Sequence, residues 1–130
     1  MRQQAGSRCG YCLARQEYVP WVLEIEHIIP KSKGESDEEE NLWLACHSCN
    51  LHKSDQTHGT DPLTGRRVRL FNPRRQKWEQ HFHWSEDGAF IIGQTPCGRA
   101  TVIALDLNNI VVVTVRRNWS AAGWHPPKND

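Results

Sequence analysis

The sequence of 130 residues has no apolar run that approaches the roughly 18 to 20 residues needed to cross a bilayer. Its first residues, MRQQAGSRCGYC, also lack the apolar core that a secretion signal requires. A cytoplasmic protein without a membrane partner is therefore the expectation. With 38% hydrophobic residues, a chain of this length predicts one compact domain.

Disulfides are not expected either, because they rarely persist in a reducing compartment, so the five cysteines need another explanation. Four of them form two pairs, CGYC at Cys9 and Cys12 and CHSC at Cys46 and Cys49. Two such turns supply the four soft ligands of a closed tetrahedral zinc site. The alternatives are two disulfides or a redox pair, but a redox pair needs only one CxxC motif. The sequence therefore predicts a structural zinc ion.

The sequence lacks a large excess of charge of either sign, with a net charge of +1, but the charges are distributed unevenly along the chain. Residues 1–60 contain six Lys/Arg and nine Asp/Glu, whereas residues 61–130 contain ten Lys/Arg and six Asp/Glu. Because basic side chains attract phosphates without reading bases, the second half is the predicted anion-binding side. A solvated charged face is the alternative. The candidate phosphate-contacting residues are Arg66, Arg67, Arg69, Arg74, Arg75 and Lys77.

The 33 residues between the cysteine pairs contain EIEHIIP, which places a histidine in an unusual position. Alternation predicts a strand with an apolar face of Trp21, Leu23 and Ile25 and a polar face of Glu24 and Glu26. His27 follows on the apolar face, where Val or Ile is typical. A core histidine and a functional imidazole are the two interpretations.

The rest of this insert predicts a loop, a second strand and a helix. The acidic run at residues 35–40 is typical of a solvated loop, and NLWLAC at residues 41–46 favours a short strand. HSCNLHKSD then has no helix breaker and can form about two turns, with a shared face of His47, Asn50 and Ser54. The result is a ββα unit that zinc holds together at its base.

CGYC, IEHIIPKSKG, ENLWLACHSCN and NLHKSD together resemble the HNH endonucleases, the ββα-metal or His-Me finger nucleases, in the subgroup with a four-cysteine zinc. The resemblance covers about residues 9–55. It implies an α+β fold, with a zinc-stapled ββα-metal finger at residues 1–58. A basic and aromatic extension at residues 59–130 would pack on the finger to form one compact domain.

The resemblance also implies that the chain hydrolyses DNA. His27 would be the general base, since an imidazole, with an ordinary pKa of about 6.5, can deprotonate water near neutral pH. Glu26 and Asn50 would hold a catalytic Mg²⁺ or Mn²⁺ ion, and Asn41 would orient the loop that carries the base. Lys53, the lysine that follows in the motif, joins the nucleic-acid-binding candidates.

Two positions depart from the usual family pattern. Asn50 occupies the third position of the motif, where the name HNH gives a histidine. His47 or His52 is an alternative ligand. An oxygen ligand here favours Mg²⁺ or Mn²⁺ over Zn²⁺ or Ni²⁺. Glu26 replaces the more frequent Asp, so a water-bridged contact is an alternative to direct ligation of the catalytic cation.

Two other functions compete with the nuclease: a catalytically inactive zinc-stapled module that binds nucleic acid, and a zinc-stabilised adaptor for protein partners. The combination of Glu26, His27, Asn41 and Asn50 favours the nuclease, because a binding module needs only the cysteines. The oligomeric state is left open, with a monomer as one possibility.

The second half predicts a short helix, a hairpin and two further helices. Asn72 and Pro73 begin a helix through about Gln80, and Thr95 and Pro96 begin another through about Leu107. HFHW and AFIIG form a hairpin around the turn SEDG. NNIVVVTVRRNW has β-branched residues that favour a strand, but its cap and spacing permit a helix, and the resemblance favours the helix.

Overall fold

The computed structural model describes residues 6–30 and 39–126. Within these ranges, short antiparallel strand pairs combine with four α-helices, so the predicted α+β class is confirmed. The strand pairs are β1 (Glu24–His27) with β2 (Leu42–Ala45), β3 (His58–Thr60) with β4 (Arg67–Arg69), and β5 (Phe82–Trp84) with β6 (Ile91–Gly93). The helices are α1 (His47–Lys53), α2 (Trp78–His81), α3 (Pro96–Ala104) and α4 (Ile110–Ala121). No helix in the described ranges has the length and apolar character of a membrane span.

The predicted ββα unit is present as β1, β2 and α1. The strands pair so that Glu26 faces Trp43 and His27 faces Leu42. Helix α1 begins directly after β2, because the Cys46 sulfur accepts a hydrogen bond from the first helical turn. Of the acidic run, residues 35–38 lie outside the described residues, and Glu39–Asn41 form a 3-10 turn before β2.

The core-facing side of β1 is opposite to the predicted one. Glu26 is only 3% exposed, whereas Ile25 is 52% exposed. Leu23 is buried as expected, but it precedes the strand, and the apolar face does not continue to His27. The prediction was wrong because the alternation defines two faces without saying which one a helix covers. Groups of α1 contact the carboxylates of Glu24 and Glu26, so the polar face of β1 lies against α1.

One cluster of buried side chains includes residues from both halves of the chain. The first half provides Tyr11 and Ala45, and the second half provides Leu70, Phe71, Phe82, Ile91, Leu105 and Leu107. The Trp78 indole also donates a hydrogen bond of 2.8 Å to the Tyr11 carbonyl oxygen. The loop that contains Cys9, Tyr11 and Cys12, called the first cysteine loop below, therefore shares its apolar core with the second half.

Most elements of the second half follow the predicted signals. The Thr95 hydroxyl caps α3 by accepting from Gly98 N at 3.0 Å, and the helix ends at Ala104, short of the predicted end. The segment after Asn109 is helical, as expected. The hairpin β5–β6 is also present.

The segment after Asn72 differs from the prediction. The Asn72 side chain accepts from the amides of Arg74 and Arg75, at 3.0 and 3.2 Å. These bonds cap a turn only, and α2 begins later, at Trp78. The hairpin β3–β4 is an addition to the predicted elements.

A buried ion pair fixes the β3–β4 hairpin to α3. Asp61, which follows β3, accepts two hydrogen bonds from the Arg99 guanidinium, at 2.8 and 3.0 Å. The Thr64 hydroxyl donates a third at 2.7 Å. The Arg99 guanidinium holds the pKa of the Asp61 carboxyl well below its usual range. The turn at residues 61–66 therefore depends on a charge supplied by α3.

We expect Asp61→Asn to lower the melting temperature by several degrees. The amide keeps the size of the side chain but loses the charge that strengthens a bidentate pair, and its NH₂ group opposes the guanidinium. The matched control is Glu86→Gln, which makes the same chemical change at an exposed position and should melt like the parent. Equal melting temperatures for the two variants would show that the ion pair does not hold the hairpin.

Candidate functional site

The four cysteines of the two CxxC motifs come together at the base of the ββα unit. Their sulfur atoms all lie within 4.8 Å of one another, although 33 residues separate the pairs in sequence. Cys9, Cys12 and Cys49 are buried, and none of the four is in a disulfide. Four cysteines in this arrangement could hold a zinc ion.

Hydrogen bonds among the clustered sulfurs favour the thiolate, the form that binds metal, at Cys46, while they raise the pKa of the Cys12 and Cys49 thiols. Tyr11 N donates to the Cys9 sulfur at 3.4 Å, and Cys49 N donates to the Cys46 sulfur at 3.4 Å. Hydrogen bonds from the neighbouring thiols, first that of Cys12, lower the pKa of the Cys46 thiol far below its ordinary value. The donor set and its backbone contacts therefore fit a tetrahedral zinc site.

Gly10 allows the first cysteine loop to lie directly on β2. Its amide donates to the Leu44 carbonyl oxygen at 2.9 Å. A methyl group at this position would overlap the indole of Trp43 and the ring of Pro73. The glycine in CGYC is therefore required by a close approach of two segments.

The Glu26 carboxylate is held from two sides. The Tyr11 hydroxyl donates a hydrogen bond to Oε1, and Lys53 Nζ lies 3.3 Å from Oε2. Burial raises the pKa of Glu26 above its ordinary value, while the Lys53 ammonium and the Tyr11 hydroxyl offset part of this effect. Since Tyr11 belongs to the first cysteine loop and Lys53 to the end of α1, Glu26 joins three segments of the finger.

Lys53 is too deeply buried to contact nucleic acid. The residue is 1% exposed, and Nζ donates to the carbonyl oxygens of His27 and Ile28 at 3.2 and 2.9 Å. With Glu26, these acceptors use the three N–H groups of the ammonium. Lys53 is therefore removed from the nucleic-acid-binding candidates: it is buried with its partners and fixes the end of β1 to α1.

Glu26, His27 and Asn50 line a single cleft of about 240 Å³ at the junction of β1 and α1. His27 is half-buried at the end of β1, and Asn50 reaches the cleft from the middle of α1. The cleft also contains Ser54, at the end of α1. Three of the residues predicted from the sequence motif are therefore brought together.

Asn41 lies beside the chain that follows His27. Its side chain accepts from Ile29 N at 2.9 Å and donates to the Ile29 carbonyl oxygen at 2.8 Å. Its own carbonyl oxygen accepts from Ile28 N at 2.8 Å. Asn41 is buried and fixes the backbone directly after His27.

Glu24 contacts a residue of the candidate site, although the sequence motif did not indicate it. Its Oε1 accepts from Asn50 Nδ2 at 2.7 Å, and its Oε2 lies 2.8 Å from His47 Nδ1. These hydrogen bonds, first that of Asn50, lower the pKa of Glu24 below its ordinary value. The only sequence signal for this contact is the spacing of Glu24 and Glu26, which puts two carboxylates on one face of β1.

The two histidines considered as alternative ligands lie away from the cleft. His47 contacts Glu24 from the start of α1, and His52 Nδ1 bonds to the Ser48 carbonyl oxygen at 2.7 Å. Neither ring is among the residues that line the cleft with Glu26 and His27. Asn50 is the side chain from α1 that reaches it.

The predicted basic residues occupy different places. Arg69 and Arg75 line a second cleft of about 230 Å³, beside Ile28 and Ile29, the residues that follow His27. Arg74 lies on the finger, where Nε donates to the Leu42 carbonyl oxygen at 3.2 Å and the guanidinium is 4.9 Å from the Trp43 ring centre. The remaining three, which are exposed outside both clefts, are Arg66, Arg67 and Lys77.

Residues 9–56 match the family model described as HNH endonuclease. The matched segment begins at the first cysteine and contains β1, β2, α1 and all the residues that line the first cleft. The predicted resemblance is therefore confirmed for this segment. No curated protein and no solved structure matched the chain.

We expect one zinc ion per chain, measured as the molar ratio of zinc to protein by elemental analysis. Because a ββα unit this small has little core, binding of the metal should contribute folding free energy directly. Cys49→Ser should therefore lose the zinc and the circular dichroism of the finger. The matched control is Cys97→Ser in α3, outside the cluster, which should keep both. A parent protein that is folded without zinc would contradict this expectation.

Proposed function

We propose that the protein is a divalent-metal-dependent endonuclease that hydrolyses phosphodiester bonds in DNA. The observation that carries this proposal is the cleft in which Glu26, His27 and Asn50 meet. It lies within the segment that matches the HNH endonuclease family model. A structural zinc ion at the four cysteines would hold the first cysteine loop and α1 together at the base of the ββα unit.

His27 acts as the general base in this proposal. A neutral imidazole can accept a proton from the attacking water near neutral pH. The position of the residue is supported from both sides, since Lys53 bonds to its carbonyl oxygen and Asn41 bonds to the backbone that follows. A fixed backbone keeps the ring near the productive geometry, which a proton transfer in hydrolysis requires.

Glu26 and Asn50 would hold the catalytic cation, Mg²⁺ or Mn²⁺. Both offer oxygen atoms, the ligand type that these ions prefer. A carboxylate has about four lone-pair sites, so the contacts from Tyr11 and Lys53 leave Glu26 capacity for a cation. When bound, the cation would neutralise negative charge on the scissile phosphate and on the leaving 3′ oxygen.

Arg69 and Arg75 would contact the phosphate backbone of DNA. They line the cleft next to the residues that follow His27, so a strand bound there would pass close to the proposed base. Phosphate contacts by arginine add affinity without base specificity. The exposed residues Arg66, Arg67 and Lys77 would extend this basic surface, and Arg74 would border it beside Trp43.

The second candidate function is a zinc-stapled module that binds nucleic acid without cleaving it. The observation that favours it is the environment of Glu26, which is 3% exposed and has a partner at each oxygen. A purely structural ion pair would have the same environment. The two functions predict different roles for His27. A nuclease needs its side chain for cleavage, whereas a binding module needs it at most for folding.

We expect His27→Ala to reduce plasmid cleavage by roughly 10²- to 10⁴-fold, the usual contribution of a positioned proton acceptor. Zinc content, melting temperature and DNA affinity should stay close to the parent values, since the backbone contacts of residue 27 remain. The matched control is His83→Ala, an exposed histidine on β5, which should cleave like the parent. Cleavage at the parental rate by His27→Ala would reject the proposed mechanism.

We expect the Arg69→Ala/Arg75→Ala double variant to bind unrelated DNA sequences more weakly and by about the same factor. The slope of log affinity against log salt should become shallower by roughly 0.9 for each phosphate that the variant no longer neutralises. These affinities are best measured in the His27→Ala background, where the DNA stays intact. Arg117→Ala on α4 is the control for loss of an exposed arginine. An unchanged slope would remove Arg69 and Arg75 from the interface.

A further inference from the structure

The contact between Glu24 and Asn50 joins the proposed cation site to a carboxylate outside the cleft. Asn50 Nδ2 lies 2.7 Å from Glu24 Oε1, and Asn50 is at the same time among the residues that line the cleft with Glu26 and His27. Glu24 is not among them. One end of the Asn50 amide is therefore hydrogen-bonded to Glu24.

Chemistry decides which end of the amide faces Glu24. An ionised carboxylate only accepts hydrogen bonds, whereas a side-chain amide has one accepting oxygen and one donating NH₂ group. An amide turned the other way would place its oxygen against the carboxylate, with no proton between them. While Glu24 is ionised, the NH₂ group of Asn50 must face it, and the amide oxygen is directed elsewhere.

We infer that Glu24 is a positioning residue, whose carboxylate turns the Asn50 amide so that its oxygen is presented to the cation. The inference rests on the proposed role of Asn50 as a ligand. An asparagine ligand must be held in one orientation, because only the oxygen end of its amide can bind a cation. The sequence has Asn50 where the name HNH gives a histidine, and Glu24 supplies the orientation that the amide needs.

His47 supports the same arrangement from the other side. Its Nδ1 lies 2.8 Å from Glu24 Oε2, so each carboxylate oxygen of Glu24 has one partner from α1. The two contacts fix the plane of the carboxylate across the β1–α1 junction. Because Glu24 does not line the cleft, it acts through Asn50 and not as a ligand itself.

The test measures Mn²⁺ affinity of the zinc-loaded protein by calorimetry, without DNA. Four variants are compared with the parent: Asn50→Ala, Glu24→Gln, Asn50→Asp and the Glu24→Gln/Asn50→Asp double variant. In Glu24→Gln the new amide can donate to the Asn50 oxygen, so the ligand atom can be turned away from the cleft. We expect Mn²⁺ affinity to fall by about 10-fold or more, as is usual when the partner of a metal ligand is removed.

The Asn50→Asp background distinguishes an effect of Glu24 on the orientation of the amide from an effect of its negative charge alone. A carboxylate at position 50 has two equivalent oxygens and needs no orientation, so Glu24→Gln removes only a negative charge there. It should therefore weaken Mn²⁺ binding by a clearly smaller factor than in the Asn50 background, where the ligand oxygen is also turned away. If Glu24 acts only through its negative charge, the same substitution should weaken binding by the same factor in both backgrounds, and that result would overturn the inference.

Zinc content and melting temperature establish that each variant is folded. If Glu24→Gln fails this check, Glu24→Ala, which leaves the Asn50 amide able to rotate, is compared in the same two backgrounds. If Asn50→Ala binds Mn²⁺ as tightly as the parent, the proposed ligand role of Asn50 fails, and the positioning role fails with it. If Asn50→Ala binds weakly but the effect of the Glu24 substitution is equal in both backgrounds, only the positioning role fails.

Discussion

The structure of the finger depends on one buried ion pair, between Glu26 and Lys53. A buried carboxylate needs a cation and hydrogen bonds, and here the Lys53 ammonium and the Tyr11 hydroxyl supply them from two other segments. Loss of one partner of a buried pair typically costs about 3–5 kcal/mol, because the remaining charge is uncompensated. The pair therefore joins β1 to α1, and the Tyr11 hydrogen bond adds the first cysteine loop, directly beside the proposed base, His27.

Features that depend on local sequence were predictable. Four thiols at CxxC spacing indicate a metal cluster whatever lies between them, and the structure brings the sulfurs within 4.8 Å. Helices α3 and α4 begin after Thr95 and Asn109, whose side chains cap them. The grouping of Glu26, His27 and Asn50 in one cleft follows from the order strand, strand, helix, which the motif implies.

Features that depend on contacts across the fold were not predictable from local patterns. Alternation along EIEH defines two faces, but only the position of α1 decides that the face with Glu26 is buried. Lysine is usually exposed, and Lys53 is buried because β1 brings a carboxylate to it from a distant part of the sequence. The bond between Glu24 and Asn50 crosses from β1 to α1 in the same way. Such contacts leave little signal in a single sequence.

The proposed hydrolysis of DNA in the cleft of Glu26, His27 and Asn50 can be tested directly by incubation with supercoiled plasmid. The protein is first dialysed against metal-free buffer and its retained zinc is verified, so that structural and catalytic metals are separated. We expect nicked or linear plasmid after addition of Mg²⁺ or Mn²⁺, and intact plasmid without addition or with excess EDTA. Plasmid that stays supercoiled with folded, zinc-loaded protein and either cation would contradict the proposal.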